Sequence, residues 1–399
     1  MKRLVLQVLC GWALIASLPA DPLKFLYQTG DQYRYYGTST QRVSINGAFV
    51  QDTLQEYRVS YSVVDADPSG AGRLQGHIVF LSQREGVKAA AVSQEFDTDY
   101  KVDAQGNYTV PDTQVMPVVR NVPTFPPNDL KPGDTWTGRG EEVHDLSDNF
   151  GIPSLLRIPV DVAYTYDGPS VRNGQTVQVL RSDYNLYKRT GFRFPNLKLY
   201  PLLMTGFSHQ THYFNAEKGR EEGYEEEYRL ILTMNTGEVV EYSGRGESHL
   251  VQAQVMDKPA LVDAVKKSLE NSGMPGVEVK AAPRGVVINL DNIRFPGESS
   301  DLVASEREKV RLIGEILKRY PDRDILVEGH TADVASAADP QVLSEARAAA
   351  VGNELLAEGV RRPDQIVYRG WGATRPLVPN DTPENRAKNR RVEITLLEN

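Results

Sequence analysis

The hydrophobic period changes near residue 257, and this change constrains the fold of the 399-residue chain more than any other feature. Before it, apolar side chains recur at every second position, as in Tyr57, Val59, Tyr61 and Val63. After it, helically spaced apolar residues alternate with short apolar runs. A period of two places one face of a strand on a core, whereas the i, i+3, i+7 spacing places one face of a helix there. The sequence therefore predicts an α+β multidomain protein with an antiparallel β region first.

The β region is expected to span residues 21–256, which hold 17 of the 19 tyrosines. Asn46-Gly47 stands between two strand-like runs and predicts a tight hairpin, because these residues tolerate the left-handed backbone of such turns. A proline-rich stretch, residues 117–132, could mark a seam between two β subdomains, 21–120 and 121–256. A single β unit is the alternative. The acidic run 221–227 is interpreted as a solvated strand rather than a cation site.

The first twenty residues are predicted to be a secretory signal peptide rather than part of the fold. Lys2 and Arg3 precede an apolar run, residues 4–15, and the small residue Ala20 follows at a suitable distance for cleavage. A membrane anchor is the alternative interpretation, although the run is short for a span. Export would place the protein in the periplasm, with a peripheral association with the outer membrane left open.

Residues 257–399 are predicted to form a β-α-β-α-β sandwich with a leading helix. Asp257 is a plausible N-cap for that helix, and Ser299 or Ser300 for the next. Asp339 followed by Pro340 is an N-cap with proline at the first helical position. The expected strands cover residues 286–288, 325–327, 365–369 and 391–396. This order implies helices packed on one face of a sheet.

Four ordered motifs in this second region carry a family resemblance. They are Ile-Leu-Val-Glu-Gly-His-Thr at 325–331, Leu-Ser-Glu-Ala-Arg-Ala at 343–348, Gly-Trp-Gly at 370–372, and Asn-Arg-Arg-Val-Glu-Ile at 389–394. Together they resemble the OmpA C-terminal domain, the peptidoglycan-associated module, over roughly residues 280–399. The resemblance implies a periplasmic domain that holds the peptide stem of peptidoglycan noncovalently, beside the central helix. No comparable resemblance covers residues 21–256.

The resemblance also implies where the ligand contacts lie. An arginine of the Leu-Ser-x-x-Arg-Ala motif, here Arg347, would meet the ligand carboxylate; this agrees with the chemistry of a bidentate guanidinium near a helix N-terminus. A salt bridge from Arg347 to Glu345 or to a nearby loop acid is the alternative. Strand alternation sends Arg390 and Arg391 to opposite faces, and Arg390 is chosen for the ligand side. The full set of predicted ligand-binding residues is Arg347, Asp333, Thr331, Ser344, Arg390 and Glu298.

The sequence departs from the family at the acid that would hold the ammonium end of the ligand. Family members have Gly-His-Thr-Asp, whereas this chain has Ala332 in the Asp position and Asp333 one residue later. The loop could bring Asp333 into the same role, with Glu298 as a second anionic partner, or the ammonium contact is lost. His330 is expected to order this loop by hydrogen bonding.

Enzymatic and nucleic-acid-binding functions are disfavoured by composition and by the motifs present. The chain contains one cysteine, Cys10, and has a net charge of −8, which argues against an internal disulfide, a cysteine-based metal cluster and a general nucleic-acid binder. It has no Walker loop, no Gly-x-Ser-x-Gly elbow and no His-Glu-x-x-His. We therefore expect no catalytic activity, no cofactor and no bound metal ion.

The resulting hypothesis is a cell-envelope protein that binds peptidoglycan and tethers a partner of the β region, an outer-membrane or periplasmic protein, to the wall. Three alternatives remain at this level. The module could have lost wall binding and serve as a structural or interaction scaffold. The β region could be an outer-membrane barrel, or it could be a carrier whose sheet curves around a lipid.

Overall fold

The computed structural model describes residues 22–82, 87–191, 196–251, 256–274, 277–291, 295, 299–333 and 339–398. The predicted signal peptide and Glu298 lie outside these described residues.

The β region is built from long antiparallel strands that follow one another along the chain. Neighbouring strands pair in order from β1 through β4 and again from β7 through β12. In addition, β1 pairs with β12. The sheet order is therefore β4-β3-β2-β1-β12-β11-β10-β9-β8-β7, and it runs across the boundary considered at residues 120 and 121. The strands are β1 (Gln32–Ile45), β2 (Ala48–Ala66), β3 (Gly72–Ser82), β4 (Ala90–Val102), β5 (Tyr108–Thr109), β6 (Val119–Arg120), β7 (Thr135–His144), β8 (Leu156–Arg172), β9 (Gln175–Arg189), β10 (Pro201–Asn215), β11 (Arg220–Met234) and β12 (Val239–Val251).

Local sequence explains much of this sheet. Asn46 and Gly47 have φ angles of 51° and 79°, so the hairpin predicted between β1 and β2 is confirmed. In β8 the alternation also holds: Ile158, Val160 and Val162 are buried, whereas Asp161 is exposed. These side chains belong to a core that one end of the sheet shares with a short helix, α1 (Ser147–Phe150).

The proline-rich segment connects the two ends of the sheet. Within residues 103–134, β5 pairs with the end of β4 and β6 pairs with β7. Phe125 packs against Phe25 and Phe214, which come from the N-terminal segment and from β10. The segment thus lies over the sheet's concave side, where Met116, Pro117 and their neighbours line an interior cavity.

The C-terminal region contains the predicted alternation of helices and strands. Its sheet has the order β13-β14-β17-β15-β16. Of these neighbouring pairs, β15 and β16 are parallel and the others are antiparallel. One apolar core packs its helices on the sheet, with Val265, Ile313 and Leu355 buried between them. The elements are α2 (Lys258–Asn271), β13 (Glu278–Ala282), β14 (Gly285–Asp291), α3 (Ala304–Leu317), β15 (Ile325–Gly329), α4 (Pro340–Ala357), a 3-10 turn (Pro363–Gln365), β16 (Ile366–Gly370), α5 (Pro383–Asn389) and β17 (Arg391–Leu397).

Two of the three predicted helix caps are confirmed. The carboxylate of Asp257 accepts a hydrogen bond from the Ala260 amide at 3.0 Å, and that of Asp339 from the Gln341 amide at 2.8 Å. The prediction of a serine cap for α3 was wrong. That helix begins at Ala304, and the Ser299 hydroxyl instead accepts from the Asp301 amide in the preceding turn. β13 and α5 were not predicted.

A strand pairing and buried ion pairs join the two regions. Ala90 and Ala91 at the start of β4 pair in parallel with Val367 and Tyr368 of β16, which extends the C-terminal sheet by one short strand. On the C-terminal side, the Asp324 carboxylate pairs with two guanidinium groups of the β region, those of Arg34 and Arg58. Similarly, Glu95 of β4 accepts from Arg369 of β16 at 2.8 Å.

Candidate functional site

The predicted ligand-binding residues lie at the carboxyl ends of β15 and β16 and on the adjacent helices α4 and α5. Two glycines allow α4 to approach these strand ends closely. A Cβ atom on Gly329 would lie 2.1 Å from the Ser344 carbonyl oxygen, and one on Gly370 would lie 2.4 Å from the Ser344 hydroxyl. Because real Cβ atoms do not approach so closely, glycine is required for this packing. The loops that follow the two strands are thereby held against the first half of α4.

Arg347 projects from α4 and is 8% exposed. Its Nε donates to the Ser299 carbonyl oxygen at 3.3 Å, and its guanidinium carbon lies 4.8 Å from the centre of the Phe295 ring. Burial lowers the pKa of Arg347, and the positive charge of Arg390 lowers it further. Phe295 was not singled out from the sequence. An anion bound between the two arginines would relieve this repulsion, because opposite charge favours the ionised form.

Arg390 and Arg391, at the junction of α5 and β17, have different environments, as predicted. Arg391 is buried, and its Nε donates to Glu393 at 2.7 Å. Arg390 is exposed at the end of α5. Of this pair, Arg391 therefore holds the structure together, and Arg390 has the freedom to contact a ligand.

The loop after β15 places Thr331, Ala332 and Asp333 in three different environments. Thr331 is buried; its amide donates to the Gly372 carbonyl oxygen at 2.9 Å. Within the described residues, its hydroxyl has no hydrogen-bond partner. Ala332 is 3% exposed, whereas Asp333 is exposed and its amide donates to the Asn380 side chain at 3.3 Å. The position that carries the acid in the family is thus buried here, and the available carboxylate is the one that follows it.

His330 differs from its expected role. Both ring nitrogens are buried and lack hydrogen-bond partners among the described residues, whereas its backbone amide donates to the Arg391 carbonyl oxygen at 3.0 Å. The expectation that its side chain orders the loop by hydrogen bonding was therefore wrong. Burial, with the charges of Arg391 and Arg375, lowers the pKa of His330 to about 3. The imidazole is consequently neutral at physiological pH.

Ser344 lies beneath this surface rather than on it. Its fully buried hydroxyl donates to the Gln341 carbonyl oxygen at 2.9 Å and accepts from the Gly372 amide at 2.8 Å. These bonds fasten the loop after β16 to α4. A direct contact between Ser344 and a ligand stays a prediction, as does one from Glu298, which lies outside the described residues.

Asn389 is a positioning residue whose role the sequence did not reveal. It is fully buried, and its side-chain oxygen accepts from the amides of Leu377 and Val378. Its side-chain nitrogen donates to the side-chain oxygen of Asn380 at 2.9 Å, the same oxygen that the Asp333 amide contacts. This network connects the loop of Asp333 to the end of α5. Its only sequence signal is that Asn389 begins the last of the four family motifs.

We call Thr331, Asp333, Arg347 and Arg390 the candidate site. It combines two guanidinium groups, a buried hydroxyl and one exposed carboxylate, a set suited to the carboxylate and ammonium groups of a zwitterionic ligand. In the described residues, no group of three or more His, Cys, Asp or Glu side chains could hold a metal ion. No helix in the described part of the chain is both long and apolar enough to cross a membrane.

The C-terminal region is an α/β domain, and comparison with known proteins identifies its class. The OmpA family matches residues 294–390. The outer membrane protein A of Bordetella avium is 32% identical over 133 residues, which cover 31% of this chain and 68% of that protein. The chain therefore belongs to the OmpA family, through its C-terminal domain.

Other relatives match over similar lengths. The peptidoglycan-binding protein ArfA of Mycobacterium bovis is 36% identical over 104 residues, 26% of this chain and 32% of that protein. Outer membrane porin F of Pseudomonas aeruginosa is 32% identical over 140 residues, 34% of this chain and 40% of the porin. The chain thus spans well under two thirds of these two relatives. A solved structure, the periplasmic domain of Helicobacter pylori MotB, is 31% identical over 31% of this chain and 82% of that one; its TM-score of 0.29 is too low to add to the assignment.

Proposed function

We propose that the C-terminal domain binds the peptide stem of peptidoglycan, with Arg347 and Arg390 receiving a stem carboxylate. The observation that carries the proposal is a buried guanidinium, that of Arg347 on α4, within electrostatic reach of the exposed Arg390. Burial weakens the hydration of Arg347, and a second positive charge lies close enough to lower its pKa. A bound carboxylate would offset both effects, and charge-assisted hydrogen bonds to arginine are among the strongest in proteins. A relative of 36% identity, named as a peptidoglycan-binding protein, adds support.

The ammonium end of the stem is assigned to Asp333. Its carboxylate is exposed, and its backbone is held through Asn380 and Asn389 to the helix that ends at Arg390. This connection lets one ligand reach both charges. The buried position of Ala332 favours the other candidate function, a domain kept as a scaffold after losing wall binding.

Cosedimentation of the mature protein with isolated peptidoglycan sacculi decides between these two functions. We expect the native protein to pellet, and Arg347→Ala to lower the bound fraction at least tenfold, because a charge-assisted contact is worth about 1.5–3 kcal/mol. Arg311→Ala is the matched control, since Arg311 is an exposed helical arginine that pairs only locally with Glu308. Asp333→Ala should weaken binding less.

Two results would contradict wall binding. If the native protein fails to pellet with sacculi of several stem chemistries, or if Arg347→Ala and Arg311→Ala bind alike, the scaffold function replaces the proposal. Circular dichroism of each variant establishes that it is folded before binding is compared.

The wider proposal is an envelope protein, non-enzymatic, in which the C-terminal domain fixes the β region at the wall. The paired strands and the ion pairs at Asp324 support it, because they join the two regions directly. An outer-membrane or periplasmic protein bound by the β region would then be tethered at a fixed distance from the wall. Crosslinking in cells, followed by release with a muramidase, tests whether such a complex depends on intact peptidoglycan.

A further inference from the structure

The concave side of the β region lines a cavity of about 660 Å³ that is partly open to solvent. This size falls in the range of about 300–1,000 Å³ that small-molecule sites occupy. Its wall is contributed by most strands of the sheet and by the proline-rich segment, and aromatic and aliphatic side chains dominate it. Among the lining residues are Tyr35, Tyr57, Tyr61, Tyr224, Tyr228, Leu186, Met204, Leu230 and Leu232.

The two faces of this sheet differ in character. The convex face carries exposed ion pairs, for example Arg73 with Asp99 and Arg181 with Asp167. The concave face turns aromatic rings towards the cavity instead. The charged residues of these pairs already have partners of opposite charge and need no ligand to supply one. The concave face, by contrast, exposes apolar surface to an interior space that a ligand could fill.

Glu226 is the polar centre of the cavity wall. The Ser208 hydroxyl donates to its Oε1 at 2.7 Å, and the Gln210 side-chain nitrogen donates to the same oxygen at 3.1 Å. Burial raises the pKa of Glu226 above its ordinary value. Both partners are neutral, and within the described residues no ion pair reaches this carboxyl group.

The other charged groups of the cavity wall have ionic partners, except Asp145, which is exposed and accepts from the Ser147 amide at 2.9 Å. Glu142 accepts from the Tyr184 hydroxyl and pairs with His144, both at 2.8 Å. Glu221 pairs with His212 at 2.7 Å. The two arginines of the lining are paired as well, Arg220 with Glu222 at 3.1 Å and Arg229 with Glu241 at 2.7 Å. Among the described carboxyl groups of the wall that are not exposed to solvent, Glu226 is therefore the one at which a cation from outside would find an unmatched charge.

Two tyrosines flank Glu226 on the same strand and the same face, Tyr224 and Tyr228. The Tyr224 hydroxyl lies 2.8 Å from the Tyr57 hydroxyl, and the Tyr228 hydroxyl accepts from Gln41 at 2.9 Å. These bonds fix the rings at the cavity wall. A carboxylate between fixed aromatic rings recognises an ammonium group through charge and through the faces of the rings.

We propose that this cavity binds a single-chain amphiphile with an ammonium head. The head lies at Glu226 between Tyr224 and Tyr228, and the chain lies along the apolar part of the wall that Met204 and Leu232 line. An ammonium group is costly to bury in an apolar site unless an opposite charge pairs with it, and the Glu226 carboxylate supplies that charge. This binding is independent of the wall-binding site, which lies in the other region.

Isothermal titration calorimetry with two probes of equal chain length tests the proposal. Dodecylammonium and dodecanoate are compared at pH 7, each below its micelle concentration, on the full mature protein. We expect one dodecylammonium per protein, bound at least tenfold tighter than dodecanoate. Glu226→Gln keeps the size of the side chain and should weaken dodecylammonium binding at least tenfold. Glu227→Gln is the matched control, because Glu227 is exposed on the other face and pairs with Arg245.

Three outcomes would overturn the proposal. The first is that neither probe binds, and the second is that the two probes bind equally. The third is that Glu226→Gln and Glu227→Gln have the same affinity for dodecylammonium. The preference between the probes is measured on the native protein, so the test holds even if Glu226→Gln fails to fold.

Discussion

The β region and the C-terminal domain both rest on a sheet, yet they use it differently. The C-terminal sheet is covered by helices, and its core is filled by aliphatic side chains such as Ile288, Ile313 and Ile394. The concave sheet of the β region instead lines a cavity whose wall contains tyrosines and the half-buried Glu226. The helices of the C-terminal domain cover an apolar face of its sheet, whereas the concave face of the β region is covered only in part, by α1 and the proline-rich segment, and a cavity remains. The candidate site lies at loop ends in the first arrangement, and the proposed amphiphile site lies against the sheet in the second.

The junction provides the most direct way to break this comparison, because it decides whether the two regions unfold separately. Asp324→Ala leaves the buried guanidinium groups of Arg34 and Arg58 without their carboxylate. We expect a loss of about 4 kcal/mol of unfolding free energy, since breaking a buried ion pair costs about 3–5 kcal/mol. Asp263→Ala, an exposed change on α2, should have almost no effect.

The tryptophans allow each region to be followed during denaturation. Trp136 lies in the β region and Trp371 in the C-terminal domain, so Trp371→Phe and Trp136→Phe proteins report on one region each. Coincident urea transitions, both shifted by Asp324→Ala, are expected of a coupled unit. Separate transitions in the parent proteins would show that the junction does not join the regions energetically.

A second prediction sharpens the comparison by changing the C-terminal domain alone. Gly329→Ala places a methyl group 2.1 Å from the Ser344 carbonyl oxygen, and we expect a loss of about 3 kcal/mol, the upper part of the range for overpacking. Gly352→Ala in the same domain meets only ordinary contacts, 3.5 Å from Ala89 and Ile366. It should stabilise α4 by up to about 1 kcal/mol through helix propensity.

Urea denaturation followed by Trp371 fluorescence measures both glycine variants. If Gly329→Ala is as stable as the parent, α4 does not need to lie as close to β15 as the structure places it. Sacculus binding should fall with Gly329→Ala and stay unchanged with Gly352→Ala.

The smallest expected loss of stability comes from the protonation of His330 as the pH falls. Its pKa is about 3 in the folded protein and about 6.5 in an unfolded chain. Because the unfolded state takes up the proton first, His330 contributes its full stability above pH 6.5, and that contribution falls as the pH drops towards 3. Between pH 7 and pH 5 we expect a loss of about 2 kcal/mol from this group.

Denaturant unfolding at both pH values, monitored at Trp371, checks this prediction. His330→Gln should reduce the difference between pH 7 and pH 5 by about the same amount. An unaltered difference in His330→Gln would mean that the imidazole is not buried as described.

The sequence by itself determined the local features of this protein. The change of period near residue 257 separated strands from helices, Asn46-Gly47 formed its turn, and Asp257 and Asp339 capped their helices. Each of these features depends on neighbours within a few residues, so local chemistry suffices. The family motifs identified the C-terminal domain for the same reason: they are short and ordered along the chain.

Tertiary structure decided everything that depends on distant partners. Arg58 occupies a polar position of β2, yet it is buried because Asp324, 266 residues away, lies opposite it. Likewise, Glu226 lies in a run that reads as a solvated strand, but the curvature of the sheet turns its side chain into the cavity. Alternation assigns a residue to one face of a strand; what covers that face depends on the path of the whole chain, which no local pattern contains.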